Sequence, residues 1–577
     1  MITLANVSVP LDAGLPKGTS ILVRRAASAL GIAKEAIATC EVVKRSVDAR
    51  KKDNVHFVVS LNLELDSADK EEALLANPPK GVSVRKAKPY TPLEYQDCAS
   101  KAQDAHFVAP VVVGAGPAGL FAALYLARCG LRPVLVERGA PVEQRIEDIE
   151  QFKRTGVLDP SSNVQFGEGG AGTFSDGKLT TNVKNPLTRH VLRLFVEAGA
   201  PEEILVVAHP HLGSDNLPGI VSAIRNEIIE RGGQVLFHTC VSGFEFEAGR
   251  IVGVRVRSAH AADCTGRADA KAEKAADALG EERLVGASHV VLACGHSARD
   301  VFGLCRDAGL EMERKPFSVG VRIEHPQRLI NESQWGKSAH HPALGAAEYK
   351  LAVHLPEGRS VYTFCMCPGG EVVAAASEEG GVVTNGMSNF ARAGENANSA
   401  VLVSVEPSDF PGTDVLGGVE LQRSIEKAAF DAVAKRGGAS YQAPAQTVGA
   451  FLGQGGPSPD QALCAPTYGR GVMEVPLEEC LPDYVVSSLK SALPLLDRKL
   501  HGFAHPGALM TAPETRSSSP VRLCRNDRLQ ARFAGSSEDA PLTGLYPCGE
   551  GPGYAGGIMS AAVDGLRIAQ AVAREYA

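Results

Sequence analysis

Val55, Phe57, Val59, Leu61, Leu63 and Leu65 alternate with mostly polar neighbours, the period-two pattern of a strand with one buried face. Upstream, Leu22, Ala26, Ala29 and Leu30 recur at helical spacing within residues 21–30, with Thr19 or Ser20 as cap and Gly31 as stop. Residues 41–46 and 82–86 read as further strands and residues 67–75 as a short helix. This order predicts a βαββαβ sandwich, a small ferredoxin-like α+β domain over residues 1–95. Pro89, Pro92 and the polar run after Tyr95 read as the linker.

The pattern then changes. Val111-Val112-Val113 is a continuous apolar run, followed by Gly114-Ala115-Gly116-Pro117-Ala118-Gly119 and an amphipathic helix that stops at Cys129-Gly130. A second apolar strand, residues 133–136, ends on Glu137, 18 residues after Gly119. A GxGxxG between strand and helix, with an acid closing the next strand, is the dinucleotide fingerprint. Gly114 allows the tight turn, Gly116 lets backbone approach a pyrophosphate, and Gly119 lets helix and strand pack closely. The helix N-terminus offers N–H groups to the phosphates, and Glu137 is placed to accept ribose hydroxyls. Residues 290–295 form another buried run ending in Cys294-Gly295, as if returning beneath the same nucleotide. Near the far end, a glycine-rich loop from Gly549 to Gly557 feeds a helix through Ile558, Ala562 and Leu566, which suits the other half of a long cofactor.

These runs predict an α/β architecture. A doubly wound, Rossmann-like domain over residues 105–314 is completed by residues 538–577 and interrupted by an α+β substrate domain over residues 315–537. Within the interruption, residues 361–367 and 372–376 read as strands, and residues 421–435 and 484–500 as helices. Residues 261–282, Ala-rich and charged, read as a surface insertion between two strands.

Composition narrows the function. The 577 residues suffice for two or three large units, and a net charge of −7 gives no support for a nucleic-acid partner. Residues 105–127 carry no charge, yet their glycines and their change of period make them a strand–turn–helix and not a membrane span. The opening MITLANVSVP has no secretion-signal pattern. The 13 cysteines are scattered without CxxC, so neither a disulfide framework nor a metal site is expected, and a cytoplasmic setting is.

VVVGAGPAGLFAALYLARCGLRPVLVERG resembles the FAD-binding start of glutathione-reductase-type flavoproteins, in the subgroup whose second strand closes with Glu-Arg, here Glu137-Arg138. LACGHSARD is similar to their ATG-type strand, and LYPCGEGPGYAGGIMSAAVDG to their C-terminal flavin motif, with Glu550 where Asp is usual. More narrowly, FGEGGAGTFSDGKL (166–179), HPHLGSDNL (209–217), YTFCMCPGGEVV (362–373), NGMSNFAR (385–392) and PETRSSSPVR (513–522) resemble the uncharacterised FAD-dependent dehydrogenases. The resemblance implies non-covalent FAD at the interface of the two large domains. Gly114, Gly116, Pro117, Ala118, Gly119, Glu137, Arg138, Cys294, Gly295, Gly549, Glu550, Gly556, Gly557 and Ile558 would hold it. By the same resemblance Gly169, Gly170, Gly172 and Ser175 contact its phosphates or ring, and Val241 its adenine.

Candidates for the substrate side are fewer. Cys365 and Cys367, two apart on a predicted strand, share a face, either as a redox pair or as small residues lining a cavity. Their segment also resembles the pocket-lining strand of geranylgeranyl-reductase-like flavoenzymes. Tyr362, Phe364 and Met366 are expected in a core. Glu514 and Arg516 either hold an anionic substrate or form an internal pair bracing their loop. His209 and His211 are candidates for a general acid or for structural roles. The expected activity is hydride transfer through flavin N5 to or from a small organic substrate, as a dehydrogenase or C=C reductase. The single Trp335 speaks against the tryptophan-rich halogenase pattern. No second GxGxxG is read after a strand, so a built-in NAD(P)H domain is not expected and electrons would come from transiently bound NAD(P)H or a protein donor. The alternative is a flavin-bound scaffold or RNA-modifying flavoprotein whose N-terminal domain docks a partner, against which stands the acidic body.

Overall fold

The computed structural model describes residues 1–259, 282–535 and 542–576. Strand His56–Leu65 buries Phe57, Val59, Leu61, Leu63 and Leu65 against Leu22, Ala26 and Leu30 of helix Thr19–Leu30. Gly31 ends that helix at φ +68°, donating its N–H to Ala27 O. Strands Ile37–Asp48, His56–Leu65, Ile2–Val9 and Ser83–Lys86 lie in that order in one antiparallel sheet, with the hairpin of the first two at one edge and Ile2–Val9 paired between His56–Leu65 and Ser83–Lys86.

The site is positioned by a five-stranded parallel sheet ordered Leu545–Pro547, Val290–Leu292, Val111–Val113, Val134–Val136, Gln234–Leu236. Its central strands are apolar throughout because both faces are covered, as a parallel sheet with flanking helices requires. Helix Pro117–Arg128 packs against helix Ile558–Tyr576, so segments more than 400 residues apart share one core. The sequence placed the return to this unit at residue 538, but Leu523 and Ala531 already lie in the core that holds Val111 and Leu545. The expected surface insertion at 261–282 falls, apart from Glu282, outside the described residues.

Between these halves stands a mixed seven-stranded sheet: Ala352–His354, Ser360–Cys367, Asn396–Val405, Phe317–Pro326, Leu509–Glu514, Ala443–Thr447, Val472–Glu474. Ladders between neighbours are antiparallel except the last, which is parallel. Helix Asp483–Asp497 covers one face through Val485, Leu489, Leu493 and Leu496. Hairpin Glu371–Ala374/Thr384–Met387 places Val373 and the adjoining Val383 in one cluster with Val164 and Phe174, and helix Gly417–Ala434 meets Arg299 through Gln422 and Glu426. The molecule is therefore mixed α/β, with parallel and antiparallel sheets.

Candidate functional site

A cavity of about 330 Å³ lies between the two sheets. Its first wall is built by the turn that leaves strand Val111–Val113. Gly114 there has φ +99°, and a Cβ would sit 2.7 Å from Ala293 O, so only glycine fits. A Cβ on Gly119 would sit 1.8 Å from Gly114 O, which fixes how closely the helix packs on the turn. Pro117 occupies the first turn of its helix, where its missing N–H costs nothing. The N-termini of helices Pro117–Arg128 and Ile558–Tyr576 both border the cavity, through Pro117 and Ile558. Each contributes partial positive charge and free N–H groups.

Of the residues expected to hold a dinucleotide, Gly114, Gly116, Pro117, Ala118, Glu137, Arg138, Gly170, Gly172, Ser175, Val241, Cys294, Gly295, Glu550, Gly556, Gly557 and Ile558 line this one cavity. Gly119, Gly169 and Gly549 do not. Gly119 faces the turn, the Gly169 N–H donates to Ala115 O at 2.8 Å, and the Gly549 N–H donates to Asp564 Oδ2 at 2.8 Å. They shape the wall from behind.

Glu137, expected to accept ribose hydroxyls, is engaged in this structure by backbone N–H groups. Its Oε2 accepts the Ala115 N–H at 2.8 Å, and its Oε1 accepts the N–H groups of Gly139 at 2.9 Å and Gly167 at 3.1 Å. One carboxylate thus ties the glycine turn to the loop opposite. That loop is ordered by Arg145, which the sequence reading missed. Arg145 is 0% exposed and donates to the carbonyls of Asn163, Val164, Gly167, Glu168 and Gly170, with its guanidinium over the Phe174 ring. Val142, Arg145 and Phe152 are the buried positions of helix Val142–Thr155. An arginine on the apolar stripe of an otherwise charged helix was the available signal.

The second wall comes from the seven-stranded sheet and its hairpin: Phe364, Cys365, Asn385, Glu514, Arg516 and Ser517. The strand that carries Cys365 and Cys367 is not regular. A register shift between Phe364 and Cys367 breaks the alternation, and Cys365 has φ +41°, an uncommon conformation for a residue with a side chain. Cys365 therefore lines the cavity while Cys367 is buried behind it. The neighbouring Cys367 thiol, then the charges of Arg322 and Lys178, lower the Cys365 thiol below its ordinary value. Phe364, on the outward side of the regular alternation before the bulge, is 37% exposed and lines the cavity, whereas a core position was expected.

Glu514 and Arg516 do not pair with each other. Glu514 meets Arg322, whose Nη1 lies 3.1 and 3.2 Å from its two oxygens. Arg322 also holds the strained Cys365 through its carbonyl at 2.7 Å. Burial pushes the Glu514 carboxyl up to about 7, against the pull of Arg322. Arg516 pairs with Glu426, which Arg299 also grips, at 2.7 and 2.9 Å. On the loop after Gly170, burial pushes the Asp176 carboxyl up, but Lys178 and Arg392 outweigh it and hold the group at about 2. Of that trio, Asp176 and Lys178 line the cavity.

His211 lies outside the cavity lining. Its ring stacks on Phe390 and its Nε2–H donates to Phe390 O at 2.9 Å, a structural role. His209 pairs with Glu348. Among the described residues, no group of three or more His, Cys, Asp or Glu is arranged to hold a metal ion, and no helix is long and apolar enough to cross a membrane.

The donor set suits a long phosphate-bearing dinucleotide. Two helix N-termini, the glycine turn and an apolar floor of Val113, Val136, Val241 and Val301 meet there. Gln165 and His296 each present to the lining a residue whose buried Nε2 has no hydrogen-bond partner among the described residues. Neither residue was expected from sequence.

Comparisons with known proteins agree with this geometry. Residues 110–146 match an FAD binding domain, residues 316–517 an FAD-dependent protein, C-terminal domain-like, and residues 1–64 a domain of unknown function. A protein of Clostridium beijerinckii, described as uncharacterized, is 41% identical over 577 residues, covering 100% of this chain and 99% of its own. Among solved structures, the flavin-dependent brominase Bmp2 overlaps at TM-score 0.36 with 12% identity, covering 81% of this chain and 79% of that one. The 3-ketosteroid-delta4-(5alpha)-dehydrogenase from Rhodococcus jostii overlaps at TM-score 0.32 with 12% identity, covering 84% and 99%. Overlaps that small carry no argument about the chemistry of this chain.

Proposed function

Because the chain belongs to the family of the Clostridium beijerinckii protein that it matches from end to end, an FAD-dependent, oxidoreductase-like family, we propose that it is an oxidoreductase exchanging a hydride with a small organic substrate. The observation that carries this reading is the two-walled cavity. One wall is a dinucleotide cradle from the parallel sheet, and the other is a set of polar and titratable side chains from the seven-stranded sheet. Bound FAD would supply two-electron hydride exchange at flavin N5. The protein's own share is positional and electrostatic. The first wall offers backbone N–H groups and helix dipoles to the phosphates. The second closes the cavity with Phe364 and presents Arg516 and Glu514 to the substrate, and the loop after Gly170 adds Lys178.

Dehydrogenase or C=C reductase chemistry fits this wall, since a proton-carrying carboxyl and fixed cations are what such reactions require beside a hydride carrier. Electrons would arrive from transiently bound NAD(P)H or a protein donor, because no second nucleotide-binding turn follows a strand in the sequence. The test is the visible spectrum of the purified protein, repeated anaerobically with NADH or NADPH. An oxidised-flavin spectrum that bleaches with one nicotinamide establishes a reductase and names its donor. Flavin that stays oxidised moves the search to substrate oxidation or a protein donor. Folded protein that neither carries nor takes up FAD refutes the proposal.

A further inference from the structure

Four carboxylates line the cavity: Glu137, Asp176, Glu514 and Glu550. Three of them are committed. Glu137 accepts three backbone N–H groups, Asp176 is gripped by Ser388, Arg392 and Lys178, and Glu550 stands 3.4 Å from His296 on the dinucleotide wall. Glu514 differs in place and in partners. It ends strand Leu509–Glu514 on the wall opposite the dinucleotide cradle, and among the described residues only Arg322 meets it as an ion pair. That contact is made through a single nitrogen, because Arg322 spends its other nitrogens on Asn398 and Cys365 O.

The geometry points to Glu514 as the proton-transferring residue of this site, a role that rests on the oxidoreductase reading above. In reduction of an unsaturated substrate, two electrons and one hydrogen nucleus come as hydride from the flavin cofactor. The second proton leaves the Glu514 carboxyl by cleavage of its O–H bond and joins the substrate. The resulting carboxylate stays beside the Arg322 guanidinium, already 0% exposed and in place to balance it. In oxidation the same proton moves the other way. The groups facing Glu514 allow both states. Arg322 on the neighbouring strand favours the carboxylate, whereas burial and the Cys365 thiol on strand Ser360–Cys367 favour the acid. The Thr384 hydroxyl favours the carboxylate, and Glu426 on the helix behind is neutralised by Arg299 and Arg516. The balance puts the carboxyl at about 7, half protonated near neutrality.

The test uses the full-length, FAD-loaded protein and needs no substrate. Infrared difference spectra taken from pH 5 to pH 9 should show protonated-carboxyl absorption that disappears with a midpoint near pH 7, from Glu514 and from Glu168, whose carboxyl burial also pushes up to about 7. Glu514→Gln should remove one component and Glu168→Gln the other, while FAD content is retained. If Glu514→Gln fails to fold, the same titration in Glu168→Gln, where that second carboxyl is gone, decides. A wild-type protein with no carboxyl titrating between pH 6 and pH 8, or absorption that Glu514→Gln leaves unchanged, overturns the assignment. Protein that binds no FAD would instead overturn the reading on which it rests, so the two failures are distinguishable.

Discussion

Glu426 lies where the two large domains meet, 2% exposed, and it is the sharpest place to test the electrostatics. Its carboxylate accepts from Arg299 Nη1 and Nη2 at 2.9 and 2.7 Å, from Arg516 Nε and Nη2 at 3.1 Å each, and from the Thr515 hydroxyl at 2.6 Å. Burial would push this carboxyl up, but Arg299 and Arg516 outweigh it and hold it well below the usual carboxylate range. Glu426→Gln keeps the shape and removes the charge, leaving Arg516 without a carboxylate and Arg299 with only Glu378. Removing one partner of a buried ion pair costs about 3–5 kcal/mol. The amide keeps one acceptor oxygen, so the lower figure applies, about 3 kcal/mol or a little over a hundredfold in the folding equilibrium. Trp335, packed between the seven-stranded-sheet core and the N-terminal domain, gives the signal for urea unfolding. The midpoint should fall with the slope unchanged. The pH dependence has a definite sign. A carboxylate depressed in the folded state contributes its full stabilisation above the unfolded value of about 4.3 and loses it as pH falls below that. The gap between wild type and variant should therefore be complete at pH 7 and narrow at pH 3. A midpoint unmoved at pH 7, or a gap of equal size at pH 3, would refute the reasoning.

Gly116→Val should give folded protein without FAD, because a Cβ there meets nothing nearer than Gly170 Cα at 3.9 Å and so points into open cavity. Near-native circular dichroism with stoichiometric FAD in that variant would remove the cofactor from this turn. Iodoacetamide at pH 7 should label Cys365 of FAD-free protein at least tenfold faster than buried Cys367, with FAD loading slowing the reaction. Mass spectrometry of peptides resolves the two, and equal rates would contradict the bulged geometry.

The sequence was most readable where a period or a fingerprint is local. The alternation from Val55 to Leu65 and the run Val111-Val112-Val113-Gly114 each set their elements within a few residues. Readings failed where long-range pairing overrides the local pattern. Cys365 and Cys367 obey period two only if their strand is regular, and the ladder to Asn396–Val405 shifts register between them. Glu514 and Arg516 look like mutual partners two residues apart. Yet their partners, Arg322 and Glu426, lie 192 and 90 residues away, beyond the reach of any local rule. Arg145 was overlooked because an arginine in a charged helix reads as solvated until the loop it threads is seen.

The pairing of strand Leu545–Pro547 with Val290–Leu292 also sets a schedule for biosynthesis. While the ribosome works from Val113 to Leu545, the sheet lacks one edge, and helix Pro117–Arg128 lacks the helix Ile558–Tyr576 that covers it. At translation rates of about 5–20 residues per second, that interval lasts roughly 20 to 90 s. Nascent chains would spend it with an apolar surface exposed, a period in which chaperones rather than cofactor are the natural occupants. FAD loading would follow as a late, nearly post-translational event, and a chain cut before Leu545 should be held by chaperones or degraded rather than accumulate as apoprotein.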